Sequence, residues 1–561
     1  MKSSVWAMLA VAGVLCAQSK DQTEVRTAVV LPSYKDLKFP PLPQVKIPEP
    51  EVVTLPNGMK LYLLEYHQLP IVSGVALIRT GNLFDPADKR GLAQMTGDVL
   101  RSGGTKTMTG DQIDLKLENV AASVESQIGE SDGTLSFSAL KENTAEVLAV
   151  FHDVMTSPEF RQDKVDLEKT QMRSSIARRN DEANGILDRE FASIVYGRNN
   201  AYGWQTEYSD VDHIQRQDLL NFYHRYYFPA NVMLAVYGDF SAPEMKAAIE
   251  KLFADWTAAA PPVPKFPQVT KTAAPGIFLA TKPDVTQTFF AVGHLGGVIS
   301  DKDFPALEVT ADILGGGFSS RLFQRIRTKL GYAYGINASW GANYDHPGLF
   351  EISGSTQSLH TVDTLRAIRE ELERIRSGEV TEQELQTAKD TVLNGFVFNF
   401  DKPSKTLNRL LLYAYFGYPK DFIFQYQKAI EGVTRADVLR VAKEYFRPQD
   451  LTIVAVGNPE EFKTPLTELG KVQPIDLTIP APKKETAKTD AASQAKAKVL
   501  LQTAQQAMGG ADKLAAIKAY GYNAEVAVAA GANTMQVKQH DVYLHPDTLR
   551  QDLELPFGKQ S

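Results

Sequence analysis

Two stretches of this chain carry the same punctuation 219 residues apart. Tyr226-Tyr227-Phe228-Pro229 leads through Val236-Tyr237 to Gly238, and Tyr445-Phe446-Arg447-Pro448 leads through Ala455-Val456 to Gly457. The pairs Tyr226/Tyr445, Pro229/Pro448 and Gly238/Gly457 share that offset, and upstream so do Ile214/Val433 and Asp218/Asp437. A helix, a proline stop and a strand in succession are common, but five equivalences at one offset are not. They point to a duplicated unit. Each copy reads as a helix, its proline stop and a buried strand, Val232–Tyr237 in the first and Leu451–Val456 in the second. Neither half alternates strand and helix regularly, so the expected fold class is α+β in two homologous halves rather than a doubly wound sheet.

Proline clusters mark the boundaries. Pro261, Pro262, Pro264 and Pro267 fall in a linker over 259–275, between a first half at 51–258 and a second at 276–478. Residues 18–50, with Pro32, Pro40, Pro41, Pro43, Pro48 and Pro50, form an arm that favours extended backbone and would strap the surface. Asn57-Gly58, between Glu51–Leu55 and Lys60–Leu64, signals a hairpin. Val72–Arg79 reads as a further strand and Arg90–Arg101 as a helix. Residues 479–496 are an Ala/Lys/Thr-rich linker of low complexity. In residues 497–561, a helix over Ala497–Met508 and a turn then helix over Gly509–Lys518 precede strands at Tyr522–Val528, Met535–Tyr543 and Leu549–Leu555. The pattern weakly resembles the half-barrels of periplasmic lipoprotein carriers. Three strands cannot close a barrel, so a partial domain is expected here.

The charge and cysteine content remove several functions. The formal net charge over 561 residues is −7, which gives no basic field for a nucleic-acid backbone. The single cysteine, Cys16, rules out a disulfide framework and any cysteine-based zinc or iron–sulfur site. Lys2, the apolar run Val5–Leu15 and Ala17 read as a secretory signal peptide over residues 1–17. A lipoprotein signal is the rival, but Leu15 directly before Cys16 is wrong for it, so cleavage after Ala17 is expected. The product would be exported to the periplasm or cell envelope, with no later segment apolar enough to span a membrane.

The first half carries Gly91-Leu92-Ala93, Leu100, Gly103-Gly104-Thr105 and Leu117-Glu118-Asn119-Val120-Ala121-Ala122, then Tyr196-Gly197, Tyr202-Gly203 and Tyr226–Asn231. The second half carries Gly315-Gly316-Gly317-Phe318-Ser319-Ser320-Arg321-Leu322-Phe323, Arg327 and Gly331-Tyr332-Ala333-Tyr334. Over about residues 45–475 this set resembles the pitrilysin/insulinase metallopeptidases, in the branch that includes mitochondrial processing peptidase and bacterial two-subunit peptidases. The resemblance implies a clam shell of two α+β halves. It also implies a zinc motif, His-x-x-Glu-His, on a first-half helix. Its two histidines share one face and bind the metal, its glutamate acts as general base, and a later glutamate completes the protein ligands.

This chain departs from that motif at every position. Aligning Gly91-Leu92-Ala93 puts Gln94 at the first histidine, Gly97 at the glutamate, Asp98 at the second histidine and Ser175 at the later ligand. Gln is a poor zinc ligand, Gly has no side chain and Ser is rarely a ligand. One carboxylate, Asp98, does not hold zinc. No cofactor is therefore expected in this chain, and alone it should not hydrolyse peptides. Zinc would belong to a homologous partner subunit carrying the intact motif.

The family's other catalytic pair is retained. In the processing-type branch the resemblance implies a second-half Arg and, seven residues on, a Tyr that reach the substrate carbonyl and stabilise the oxyanion. Arg327 and Tyr334 stand at that spacing. Ser319 is expected to cap a helix ending at Lys329, followed by a strand with Tyr332 and Tyr334 on one face. Taken without the family, an Arg late in a helix is a solvated charge and a strand Tyr is core. Arg325 and Tyr332 share the spacing, but Arg327 takes the family position just ahead of Lys329-Leu330-Gly331. Gly315-Gly316-Gly317 lacks the Lys and Ser/Thr of a P-loop, leaving a flexible rim by the peptide crevice or a plain turn. Ala122–Gln127, with Ala122 and Val124, matches the family strand that pairs with extended peptide, and reads equally as an ordinary edge strand. The reading as a whole is an exported non-zinc subunit of a heterodimeric metallopeptidase. Its alternative is a catalytically inactive peptide-binding or assembly subunit.

Overall fold

The computed structural model describes residues 49–269, 275–399, 401–480, 491–530, 533–544, 548–555 and 558–560. The signal peptide and nearly all of the proline-rich arm lie outside them. The chain forms two compact units. One runs to Gln205 and resumes over Ile214–Leu477, and the other holds Thr206–His213 and Thr478–Ser561.

The first half of the larger unit has six strands. They are β1 (Glu51–Thr54), β2 (Lys60–Glu65), β3 (Ile71–Ile78), β4 (Ser123–Ile128), β5 (Gly133–Leu140) and β6 (Val232–Gly238), in the spatial order β1-β2-β6-β3-β5-β4. The β1–β2 turn is the Asn57-Gly58 hairpin, with Gly58 at φ +92° and the Asn57 side chain accepting from Met59 N–H at 3.1 Å. Three of its helices matter for the site: α1 (Leu92–Ser102), α2 (Gln162–Arg178) and α3 (Ala183–Tyr196).

The second half repeats the plan. Its strands are β7 (Gly276–Thr281), β8 (Gln287–Leu295), β9 (Gly297–Val298), β10 (Ala333–Asn343), β11 (Pro347–Gln357), β12 (Thr452–Gly457) and β13 (Val472–Pro474), ordered β13-β7-β12-β8-β11-β10-β9. The run β7-β12-β8-β11-β10 has the same order as β2-β6-β3-β5-β4. In each, the strand after the proline stop pairs parallel with the first strand and antiparallel with the next, β6 with β2 and β3, β12 with β7 and β8. Three of its helices matter here: α4 (Phe304–Gly315), α5 (Pro403–Phe416) and α6 (Arg435–Tyr445). The Asp218/Asp437 equivalence has a local cause. Each carboxylate accepts the N–H three residues earlier, from Gln215 at 2.8 Å and Thr434 at 3.1 Å, and closes the start of its helix.

The two halves are interlocked by exchanged helices. Every residue of β12 is buried, because alternate side chains enter two different cores. Ile453 and Ala455 pack with α4 and α6 of their own half, whereas Val454 and Val456 pack with Ile186, Phe191 and Ile194 on α3 of the first half. In return, Leu407, Leu411 and Tyr415 of α5 pack on Tyr62, Leu64 and Ala235 of the first sheet. The Tyr196 hydroxyl donates to Pro347 O at 2.9 Å, and Tyr415 donates to Ser131 O.

In the smaller unit a helix begins at Ala491, so residues 491–496 of the expected linker are helical. Four antiparallel strands come after it in sequence order: β14 (Ala519–Ala530), β15 (Asn533–Leu544), β16 (Thr548–Leu555) and β17 (Gly558–Gln560). The fourth strand, β17, exceeds the three expected from the sequence pattern.

Candidate functional site

The α1 helix starts on a carboxylate. Asp85, buried, accepts from Gly91 N–H at 2.8 Å and Ala93 N–H at 2.9 Å, and Gly91 takes φ +91° to make the entry. One turn on, Gly97 lies against the β4 backbone. A β-carbon there would stand 2.8 Å from the Gln127 carbonyl carbon and closer still to the Ile128 nitrogen. The Ser126 hydroxyl closes the contact by donating to Gly97 O at 2.7 Å. Where the family motif has its general base, this chain has a helix seated on an edge strand.

The other three positions are not gathered into a ligand set. Gln94 hydrogen-bonds Asp98, whose carboxyl is pushed up by burial and only partly drawn back by that bond. Ser175 is exposed on α2. The α2 side chain that faces Asp98 is Glu168, two turns earlier. Burial raises it first, and the Asp98 charge raises it further. Two carboxyl groups whose charged forms burial disfavours, beside a neutral amide, do not fit a zinc site. Among the described residues no group of three or more His, Cys, Asp or Glu is arranged to hold a metal. Sequence alignment missed Glu168 because it marked only the ligand position. Its spacing of seven from Ser175, on the same helix face, was the available signal.

The Arg/Tyr pair is brought together. Between Phe323 and Lys329 the helix widens to a π-helix, and Gly331 reverses the chain at φ +69°. The Arg327 guanidinium is 4.7 Å from the Phe323 ring centroid and 4.9 Å from that of Tyr334. Its two neighbours are committed elsewhere. Arg321 binds Glu384 through two bonds of 2.6 and 3.1 Å, and Arg325 binds Glu371 at 2.6 Å and also Glu370. Among the described residues Arg327 has no carboxylate at ion-pair distance, so its N–H donors remain available.

Two local expectations are corrected. The helical turn begins at Ser320, not Ser319: Ser320 O accepts the first bond, from Gln324 N–H at 3.0 Å, and its hydroxyl donates to Gly317 O at 2.6 Å. Tyr332 and Tyr334 do not share an environment. Ala333 pairs with Thr356 and Gly335 with Ser355, so Tyr334 is the extra residue of a β-bulge. The bulge breaks the alternation that would have buried it and leaves it 80% exposed over Arg327. Tyr332 instead stacks on His360 at 4.1 Å, which, with Arg325 held by glutamates, removes the alternative Arg325/Tyr332 pair.

The three glycines differ from one another. A β-carbon on Gly315 would strike the Ala338 backbone, and one on Gly316 the Asp312 carboxylate, so these two permit close packing. Gly317 alone faces open space. Gly315 and Gly317 line a cleft of about 570 Å³ with Phe318, Phe323 and Leu187. In the first half, β4 is an edge strand paired only with β5 among the described residues. Val124 is fully buried in it, and Ala122 precedes it, half-buried.

Comparison with known proteins bears on the family and the fold. The family described as "Insulinase (Peptidase family M16)" matches residues 63–206, and "Peptidase M16 inactive domain" matches residues 213–392. The chain belongs to the insulinase family. Two relatives come from Helicobacter pylori. "Zinc protease PqqE" is 25% identical, covering 73% of this chain and 93% of its own length. "Non-peptidase homolog YmxG" is 24% identical, covering 71% and 92%. A crystal structure titled as a peptidase M16 inactive domain from Pseudomonas fluorescens superposes with a TM-score of 0.65 at 21% identity, covering 73% of this chain and 98% of that one. The last likeness concerns the fold. Among the described residues no helix is long and apolar enough to cross a membrane.

Proposed function

We propose that this insulinase-family chain is the non-zinc subunit of a two-chain peptidase, binding peptide and presenting Arg327 and Tyr334 to the carbonyl under attack. The observation that carries the reading is the pair itself. Of the three arginines on the segment, one has no carboxylate partner among the described residues, and it stacks against a tyrosine that a bulge turns outward. A guanidinium and a phenol converging on one point bind the negative charge that develops on a peptide carbonyl, worth ~2.7–4 kcal/mol per donor in comparable sites. The residues of α1 do not fit zinc, so the metal would come with a homologous partner carrying His-x-x-Glu-His. One organism holding both a named zinc protease and a named non-peptidase homologue, each similar to this chain, supports such a pairing. Residues 1–17, read as a leader from Lys2, the apolar run Val5–Leu15 and Ala17, would direct the chain to the cell envelope.

The name of the non-peptidase relative favours a second reading, a peptide-binding or assembly subunit that takes no part in the chemistry. Reconstitution with a zinc-motif homologue decides between them. Cleavage of an unstructured peptide by the mixture, by neither chain alone, and lost with Arg327→Ala supports the first. Full activity of a mixture containing Arg327→Ala supports the second.

A further inference from the structure

We propose that an aromatic cleft between the β1–β2 edge and α5 is the seat of the chain's own proline-rich arm, which straps the first half to the second. The proposal stands apart from the peptidase reading. The cleft has a volume of about 340 Å³ and shares no lining residue with the one beside Gly317. Both halves build it. The first gives Val52 and Tyr62, and the second gives Leu410 and Tyr413 of α5 with Tyr418 and Phe424 beyond it. The turn after α5 gathers those rings. Gly417 ends the helix at φ +79°, and Tyr418 N–H donates back to Tyr413 O at 2.8 Å. The Tyr418 hydroxyl donates to Tyr344 O at 2.8 Å, so its polar end is satisfied and its ring is left for the cleft. On the sheet edge, Val52 is 55% exposed, apolar surface that an occupant can cover. Grooves lined by aromatic rings take polyproline II segments, which are extended before they bind and lose little entropy.

The occupant is argued from where the arm ends and from its spacing. Glu49 and Pro50 themselves line the cleft, and Glu49 is paired with Lys420 at 3.0 Å. Residues 18–48 therefore join the described chain at the cleft wall. A segment tethered there is present at far higher effective concentration than any free one. Its sequence suits the walls. Polyproline II has three residues per turn, and Phe39, Leu42, Val45 and Pro48 recur at that interval, making one apolar stripe. Pro40, Pro41 and Pro43 favour the conformation. Charge agrees: Asp421 at the rim is exposed, with no cation partner among the described residues, and Lys38 and Lys46 flank the stripe.

The test compares the chain without its leader and the same chain lacking residues 18–46, using a fluorescein-labelled peptide of residues 35–48 and anisotropy. The peptide should bind the shortened chain, and bind the longer one at least about tenfold more weakly because the tethered arm competes. Ala414→Trp, which enters the cleft from an exposed position on α5, should abolish binding to the shortened chain. Peptides with Leu42→Asp or Val45→Asp carry the same test from the ligand side, and Gln44→Asp, off the stripe, should still bind. Limited trypsin digestion checks the seat without any deletion. Cleavage after Lys38 should be at least about tenfold faster in the full chain carrying Leu42→Asp and Val45→Asp than in the parent, because a seated arm is protected. No binding to the shortened chain, equal binding to both chains, or indifference to the stripe in both assays overturns the proposal. A full-length dimer that becomes monomeric on loss of residues 18–46 overturns it too, since the cleft would then hold the arm of a second copy.

Discussion

Gly97 and Ile128 are in contact so close that no side chain fits between them. Even a methyl group on Gly97 would overlap the Ile128 nitrogen and stand 2.8 Å from the Gln127 carbonyl carbon, both backbone atoms that cannot swing aside. Restoring the family residues by Gln94→His, Gly97→Glu, Asp98→His and Ser175→Glu should therefore not restore the metal. The quadruple variant should melt below the parent and retain far less than one zinc per chain after dialysis. Gly97→Ala alone should cost ~1–3 kcal/mol in urea unfolding, as overpacking does. A stoichiometric zinc protein with unchanged stability would show that α1 moves away from β4 readily.

Tyr334→Phe isolates the phenol, because the ring that stacks on Arg327 stays. In an active complex with a zinc-motif homologue it should lower kcat by roughly 10²–10³ and leave KM nearly unchanged, since the charge it stabilises exists only in the transition state. Arg325→Gln is the control. That side chain is spent on Glu370 and Glu371, so its loss should reduce stability and spare kcat. Equal kcat losses in both variants would argue that the segment is merely structural.

The duplication, and with it the fold, was legible because proline, glycine and the capping aspartates act locally and survive as spacing. The exchange of α3 and α5 was not. Ile186 and Leu411 show the same apolar periodicity whether they face their own sheet or the other. The Arg327–Tyr334 pairing was implied by the family resemblance, whose spacing of seven these residues match, yet the reason Tyr334 points outward was hidden. A bulge depends on which residue of β11 pairs with Ala333, and no local pattern states that. Glu168 escaped for a similar reason: only the packing of α2 on α1 reveals that it faces Asp98.

Asp312 should make stability fall as pH rises. Burial, and after it the Glu308 carboxyl one turn earlier on α4, push its carboxyl up to about 6. Its pKa is thus higher folded than unfolded, where it is ~3.9. The folded state then binds more protons between those values, so the penalty is absent below pH ~4 and complete above pH ~6. Asp312→Asn, which keeps the shape beneath Gly316, should raise the melting temperature more at pH 8 than at pH 4. A gain that is the same at both would mean Asp312 ionises freely in the folded protein.

The exchanged helices predict that neither half folds alone. In the first half, α3 buries Ile186, Leu187, Phe191, Ile194 and Val195 in a cluster completed by Ala280, Ala291, Val454 and Val456 of the other sheet. At ~1.5–3 kcal/mol for each large apolar side chain, that burial is on the order of 10 kcal/mol, as large as the net stability of a typical domain. A fragment of residues 51–258 would expose all of it, and would also uncover Tyr62, Leu64 and Leu77, which α5 shields in the whole chain. Expressed alone, the fragment should aggregate or unfold without a cooperative transition. Co-expressed with residues 276–478, it should be recovered as a soluble one-to-one complex with a single melt. A monomeric 51–258 fragment that unfolds cooperatively at the temperature of the parent would show that α3 finds sufficient cover within its own half.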